Sequence, residues 1–129
     1  MADVARHIWE RAKPSPEGHA YLRKKQIGPN GAKLRAGSLV VPVKDVDGSL
    51  HSLQFISASG EKIFLSGGRV SGCCFGIGRL GKHVYVCEGF ATGATIHETT
   101  LQAVVVALNA GNLKAVATAL REDTRKWSW

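Results

Sequence analysis

The chain has 129 residues, 44% hydrophobic and 7% aromatic, a balance that excludes a disordered polymer and suits one ordinary domain or two small lobes sharing a core. No apolar run approaches the ~20 residues of a membrane span, and the N-terminal MADVARHIWERAK lacks the apolar stretch of a secretory signal, so a cytoplasmic protein without a membrane partner is expected. A net charge of +7 suggests a polyanion partner, and three cysteines, two of them adjacent, argue against a disulfide framework; no CxxC pair exists, so no zinc site is expected.

Residues 3–12 predict a short helix with Ala5, Ile8, Trp9 and Ala12 on one face, ended by Pro14 and Pro16. Residues 17–25 predict a second, with Tyr21 and Leu22 inward and Arg23, Lys24 and Lys25 outward. Gly28-Pro29-Asn30-Gly31 is turn chemistry. Arg6, Arg11, Lys13, Arg23, Lys24, Lys25, Lys33 and Arg35 are offset only by Asp3, Glu10 and Glu17, so the basic footprint belongs to this N-terminal part. A β-meander follows over 38–43, 50–56 and 62–65, with Asp47-Gly48 as a hairpin signal, and 73–77 reads as one more short strand.

The pattern then changes. Residues 83–87 form a nearly continuous apolar strand, as expected where both sheet faces are covered. Glu88-Gly89, a helix over 92–100 and a buried strand over 103–108 follow. Asn112 is the expected N-cap of a helix carrying Leu113, Val116, Ala117 and Leu120 inward. This is a βαβα unit with a parallel pair and a right-handed crossover. The expected fold class is therefore α+β: residues 1–80 as a basic lobe of short helices and antiparallel strands, residues 81–129 as a partial α/β unit. The chain stops at Trp127-Ser128-Trp129, where a doubly wound sheet would continue to a third strand, so it reads as a fragment or a shortened gene product.

Sites in parallel α/β sheets form beyond the carboxyl ends of the strands. Glu88 lies there, and Gly89 is expected to let the backbone turn sharply and leave the carboxylate uncovered. The Asn109-Ala110-Gly111 loop leaves the same edge, so Glu88 and Asn109 should face one cleft. Such a carboxylate can hold Mg²⁺, act as a general base on a 3′-hydroxyl, or merely cap the following helix; spacing alone leaves these open. Gly67-Gly68 and Gly76-Ile77-Gly78 fit no phosphate-loop pattern and read as turns, and His97-Glu98 is not an HExxH pair. Cys87 reads as a small hydrophobe, Asp45-Val46-Asp47 as turn residues, and Arg69 as either a phosphate contact or a solvated loop arginine.

The run Val84-Tyr85-Val86-Cys87-Glu88-Gly89 resembles motif I of TOPRIM domains, and its continuation through Ala91-Thr92 to Ile96-His97-Glu98 is similar to the EGxATxxSIHE pattern of TOPRIM DNA primases of phages, plasmids and integrative elements. Ala107-Leu108-Asn109-Ala110-Gly111-Asn112-Leu113 is similar to the segment that follows in that group. Upstream, Leu39-Val40-Val41-Pro42-Val43, Leu53-Gln54-Phe55-Ile56 and Gly60-Glu61-Lys62-Ile63-Phe64-Leu65 resemble the β-rich lobe preceding TOPRIM. The resemblance implies a fragment of a DNA primase that makes RNA primers on single-stranded DNA by Mg²⁺- or Mn²⁺-dependent nucleotidyl transfer. Glu88 is then the catalytic and metal-side carboxylate. Lys62, Gly89, Asn109 and Gly111 are then expected at the nucleotide, with Lys62 reading equally as a strand-end lysine in water. Arg23, Lys24, Lys25, Lys33, Arg35 and Arg69 bind template DNA. NTPs and the single strand are the partners, and a replicative helicase domain is admitted as another. Tyr21 or Trp9 can stack bases or anchor their helices. One departure limits this: no Asp-x-Asp motif follows Leu113, and Glu122-Asp123 falls in the last helix, so the metal site is incomplete and the chain alone is expected to be inactive. The alternatives are a non-catalytic single-stranded DNA-binding module and a small α/β nucleotide-binding domain.

Overall fold

The structure, a computed structural model, describes residues 2–79, 81 and 83–122; Asp123 and the expected Trp127 and Trp129 tail lie outside them. The described residues form, in order, α1 (Ala2–Arg11), β1 (Lys13–Pro14), α2 (Ala20–Lys25), β2 (Lys33–Arg35), β3 (Ser38–Lys44), β4 (Leu50–Ile56), β5 (Lys62–Phe64), β6 (Phe75–Ile77), β7 (Val84–Cys87), α3 (Phe90–Thr100), β8 (Ala103–Val106), a 3₁₀ turn (Ala110–Asn112) and α4 (Leu113–Glu122). The class is mixed α+β, as expected.

The first sheet is antiparallel, in the order β1-β2-β3-β4-β5. Its central strand obeys the period of two. Leu39, Val41 and Val43 join one core, while Val40 faces the other side, where Ala5, Ile8 and Trp9 of α1 close over it and Leu53. Pro42 sits in this strand past the last β2 partner, Val40, where a missing N–H breaks no β2–β3 pairing. Asp45 makes the β3–β4 turn: its Oδ1 accepts from Asp47 N and Ser49 N at 2.9 and 3.0 Å, and its Oδ2 meets His51 Nε2 at 2.8 Å. Asp45 and Asp47 are thus turn residues.

The second sheet has the order β6-β8-β7, with β6 antiparallel and β7 parallel to β8. Residues 73–77 therefore do not extend the meander. Their strand crosses to the second sheet, and the bridge between Lys44 and Cys74, with bonds of 3.0 and 2.7 Å, ties it back to β3. β8 is the buried centre. Val104 and Val106 face the core that holds α3, and Val105 and Ala107 face Val116 and Leu120 of α4. β7 differs from its expected burial: it is an edge strand, and Tyr85 and Val86 are 45% and 37% exposed. The largest core cluster unites Tyr21, Leu39 and Ile56 with Phe90, Val104 and Val106, so residues on both sides of position 80 share it.

Candidate functional site

Glu88 is exposed and directly follows β7, and Gly89 is the N-cap residue of α3. Asn109 follows β8 on the same edge, since Cys87 pairs with Val106 in the parallel register. Gly89 itself brings no side-chain cap to α3, so Glu88, one residue before it, is the carboxylate next to that N-terminus. The expected use of Gly89 is corrected. Its φ of −118° is extended backbone open to any residue, so no left-handed turn requires glycine there. What matters is its neighbour: Lys62 Nζ lies 3.6 Å from where a side chain at position 89 would begin.

Lys62 belongs to β5, the outer strand of the other sheet, which brings a lysine to the start of α3. Together with Lys24, Lys25, Tyr21, Ser59 and Gly60 it lines a cavity of about 170 Å³. Tyr21 is buried in the core, and burial pushes its hydroxyl pKa up. Lys25 Nζ lies 5.8 Å from the Tyr21 ring centroid. His19 fixes the start of α2: its Nδ1 accepts from Tyr21 N at 3.2 Å, so Nε2 carries the proton donated to Gly37 O at 2.8 Å. Three ammonium groups, with no acid lining the cavity among the described residues, lie beside the start of α3, an environment suited to phosphate.

The remaining basic residues divide. Arg11, Lys13 and Arg35 line a separate groove of about 360 Å³. Arg23 lines another, with Glu17 and Glu98. Lys33 is used internally, its ammonium donating to Trp9 O at 2.9 Å and lying 4.2 Å from the indole centroid. Arg69 Nε donates to Ser71 O at 3.0 Å within its own loop.

Asn109 makes a structural contact, and Gly111 lies beside it in the 3₁₀ turn. Asn109 Oδ1 accepts from Asn112 N at 2.9 Å, so Asn109, not Asn112, provides the cap before α4. Leu108, at φ 80°, turns the chain into this cap. Asn112 is buried instead: its Oδ1 accepts from Gly72 N, and its Nδ2 donates to Val70 O, Cys73 O and Ala107 O. Sequence reading also missed Glu98, whose Oε2 accepts from Gly28 N at 2.8 Å and Asn30 Nδ2 at 2.7 Å, pinning the 28–31 turn to α3. Spacing offers no signal for either contact, since partners stand some 70 positions apart.

A divalent cation of the magnesium type takes about six oxygen ligands. Among the described residues no three His, Cys, Asp or Glu side chains converge, so these residues do not complete a site for it around Glu88. No described helix is long and apolar enough to cross a membrane.

No family model matches the chain, and no solved structure matches it. The chain is 34% identical over 120 residues to a DNA primase TraC of Escherichia coli, covering 83% of this chain and 11% of that protein. It is 33% identical over 85 residues to a second DNA primase TraC of Escherichia coli, covering 62% of this chain and 6% of that protein. The matched segment is thus a small part of relatives many times longer. Most of this chain is therefore homologous to a short segment of a DNA primase.

Proposed function

We propose that this chain is the part of a TOPRIM-type DNA primase that holds nucleotide phosphates and presents one catalytic carboxylate during RNA primer synthesis on single-stranded DNA. The observation that carries the reading is the approach of Lys62 to Gly89, which joins a three-lysine cavity to the Glu88 edge of the parallel sheet. In this reading Lys62, Lys24 and Lys25 neutralise phosphate charge, and the free N–H groups of the first turn of α3 add donors for an anion. Glu88 accepts the proton of the attacking hydroxyl or orients that group. Arg11, Lys13 and Arg35 track template phosphate in their own groove. Mg²⁺ would supply charge neutralisation at the transferred phosphate, but its remaining ligands are not among the described residues. Arg69 and Lys33 have a smaller claim to DNA, because each already serves a contact within the chain. A cytoplasmic setting belongs to the same proposal.

The test is incorporation of labelled NTP into primers by a longer polypeptide containing this segment, on a single-stranded template. Glu88→Gln should abolish synthesis while oligonucleotide binding persists. Lys62→Ala should raise the apparent KM for NTP about tenfold, the order expected for one lost charge-assisted contact. Full activity of the Glu88→Gln protein would overturn the catalytic role.

A further inference from the structure

A larger cavity, of about 410 Å³, lies in the seam where the two sheets part, near the C-terminal half of α3 and away from the Glu88 edge. Its size is that of a small-molecule pocket. Trp9, Pro42, Phe75 and Ile77 give flat or apolar walls; Asn30, Lys44 and His97 are polar side chains on its lining, and among the described residues no acid lines it. We propose that this cavity accepts a nucleobase, with the attached phosphate at Lys44. The proposal rests on the primase reading, which supplies the nucleic acid.

The polar groups are held ready. Glu98 and Gly28 O both take Asn30 Nδ2, at 2.7 and 2.9 Å, which commits the amide nitrogen and leaves Oδ1 as an acceptor for an amino group on a base edge. His97 Nδ1 lies 2.8 Å from Gln102 O, so Nδ1 carries the proton and Nε2 is left for a ligand. Lys44 is fixed through its backbone by the Cys74 bridge, and no carboxylate pairs with it among the described residues. Gly78, at φ +82°, lies close against His97: a side chain there would begin 2.5 Å from its ring and displace it. Flat walls, one acceptor, one ring nitrogen and an unpaired cation match a base with its phosphate better than a peptide or a lipid chain, which would leave these polar groups unmet.

The experiment compares binding of the 129-residue chain to two fluorescent oligonucleotides of equal length, one of mixed sequence and one of abasic units, by anisotropy at low and moderate salt. The wild type should prefer the base-bearing strand by about tenfold, the scale of one stacked base. Trp9→Ala and, as a variant less exposed to folding defects, Lys44→Gln with His97→Gln should shrink that preference towards unity, with far-UV circular dichroism unchanged. Competition by a free nucleoside monophosphate but not by ribose 5-phosphate would identify a free nucleotide as the occupant, and resistance to both would identify the strand. Arg11→Ala with Arg35→Ala, in the separate template groove, should weaken both oligonucleotides alike. A preference unchanged in the cavity variants, with binding still reduced by Arg11→Ala with Arg35→Ala, overturns the cavity proposal and leaves the template reading standing. Absence of salt-dependent binding to either strand overturns both.

Discussion

Asn112→Ala should be among the most destabilising single substitutions in this chain. Asn112 is 5% exposed and ties three places together: Gly72 N donates to its Oδ1 at 2.8 Å, and its Nδ2 donates to Cys73 O at 2.8 Å, Ala107 O at 2.9 Å and Val70 O at 3.1 Å. Truncation removes this partner from Gly72 N, Cys73 O and Ala107 O, while Val70 O keeps the bond from Cys73 N at 2.9 Å. The bonds to Gly72 and Val70 are only part-buried, so water can replace the amide there; those to Cys73 and Ala107 are buried. Two carbonyls stranded at about 1–3 kcal/mol each put the loss near 3 kcal/mol, a large share of the roughly 5–15 kcal/mol that holds a domain folded. With a urea slope near 1.5 kcal/mol per molar, the unfolding midpoint should fall by about 2 M. Equilibrium unfolding followed by circular dichroism measures it, with Asn109→Ala as the comparison, since that exposed cap carries one bond worth about 1 kcal/mol. Asn112→Asp adds a sign test. The new carboxyl would face three carbonyls in a buried place, so its folded pKa rises above the unfolded value of about 3.9. Its deficit relative to wild type should be smallest below that pH and grow as pH rises through the folded value. A loss no greater than that of Asn109→Ala, or a deficit independent of pH, would refute the role.

Other substitutions test other contacts. Burial alone would raise the Asp45 carboxyl, but bonds from His51, Ser49 N and Asp47 N, with the His51 charge, hold it below its ordinary value. Its stabilisation is therefore complete above about pH 3.9 and lost as pH falls through the depressed value; Asp45→Ala should lower urea midpoints at neutral pH and converge on wild type in acid, and parallel pH profiles would contradict this. Gly93→Ala should lower Tm although alanine favours helix, because the new Cβ would lie 2.6 Å from Val106 Cγ2 and 3.2 Å from Cys87 Sγ; overpacking of about 1–3 kcal/mol exceeds the ~1 kcal/mol of propensity, and a rise in Tm would show that α3 moves off the sheet freely. Burial pushes the Cys74 thiol pKa up to about 12 and raises those of Cys73 and Cys87; iodoacetamide at pH 8 should modify all three only in denaturant, and rapid native labelling of Cys87 would place it outside the core.

Local pattern carried most of the fold. The apolar, β-branched run of residues 38–43 and the alternation of residues 50–56 gave the central hairpin, and Glu88 was placed at its strand end because a short apolar run stops there. Strand partnership was less visible. Residues 73–77 are apolar whichever sheet receives them, and only the bridge from Lys44 to Cys74 and the pairing with β8 decide it. The burial of β7 was overread for the same reason: VYVC has the composition of a central strand, yet its position at the sheet edge leaves Tyr85 and Val86 exposed. Asn112 followed a capping rule that holds equally for Asn109 three residues earlier, and geometry assigned the cap to Asn109.

The candidate site is composite in a way that a division at residue 80 conceals. Lys62 comes from the outer strand of one sheet and Gly89 from the loop of the other, and no ladder joins β5 to β7. Their separation is therefore set by what lies between the sheets. Tyr21 occupies that place: it lines the lysine cavity, shares the core cluster with Phe90 at the start of α3, and lies 3.6 Å from where a side chain at Gly60 would begin, just ahead of β5. A packed core transmits displacement, because its side chains cannot shift independently. Any change that tilts one sheet against the other moves the lysines relative to the carboxylate edge, so in the proposed reading a substitution of Tyr21 or Phe90 would alter phosphate binding through the positions of the lysines.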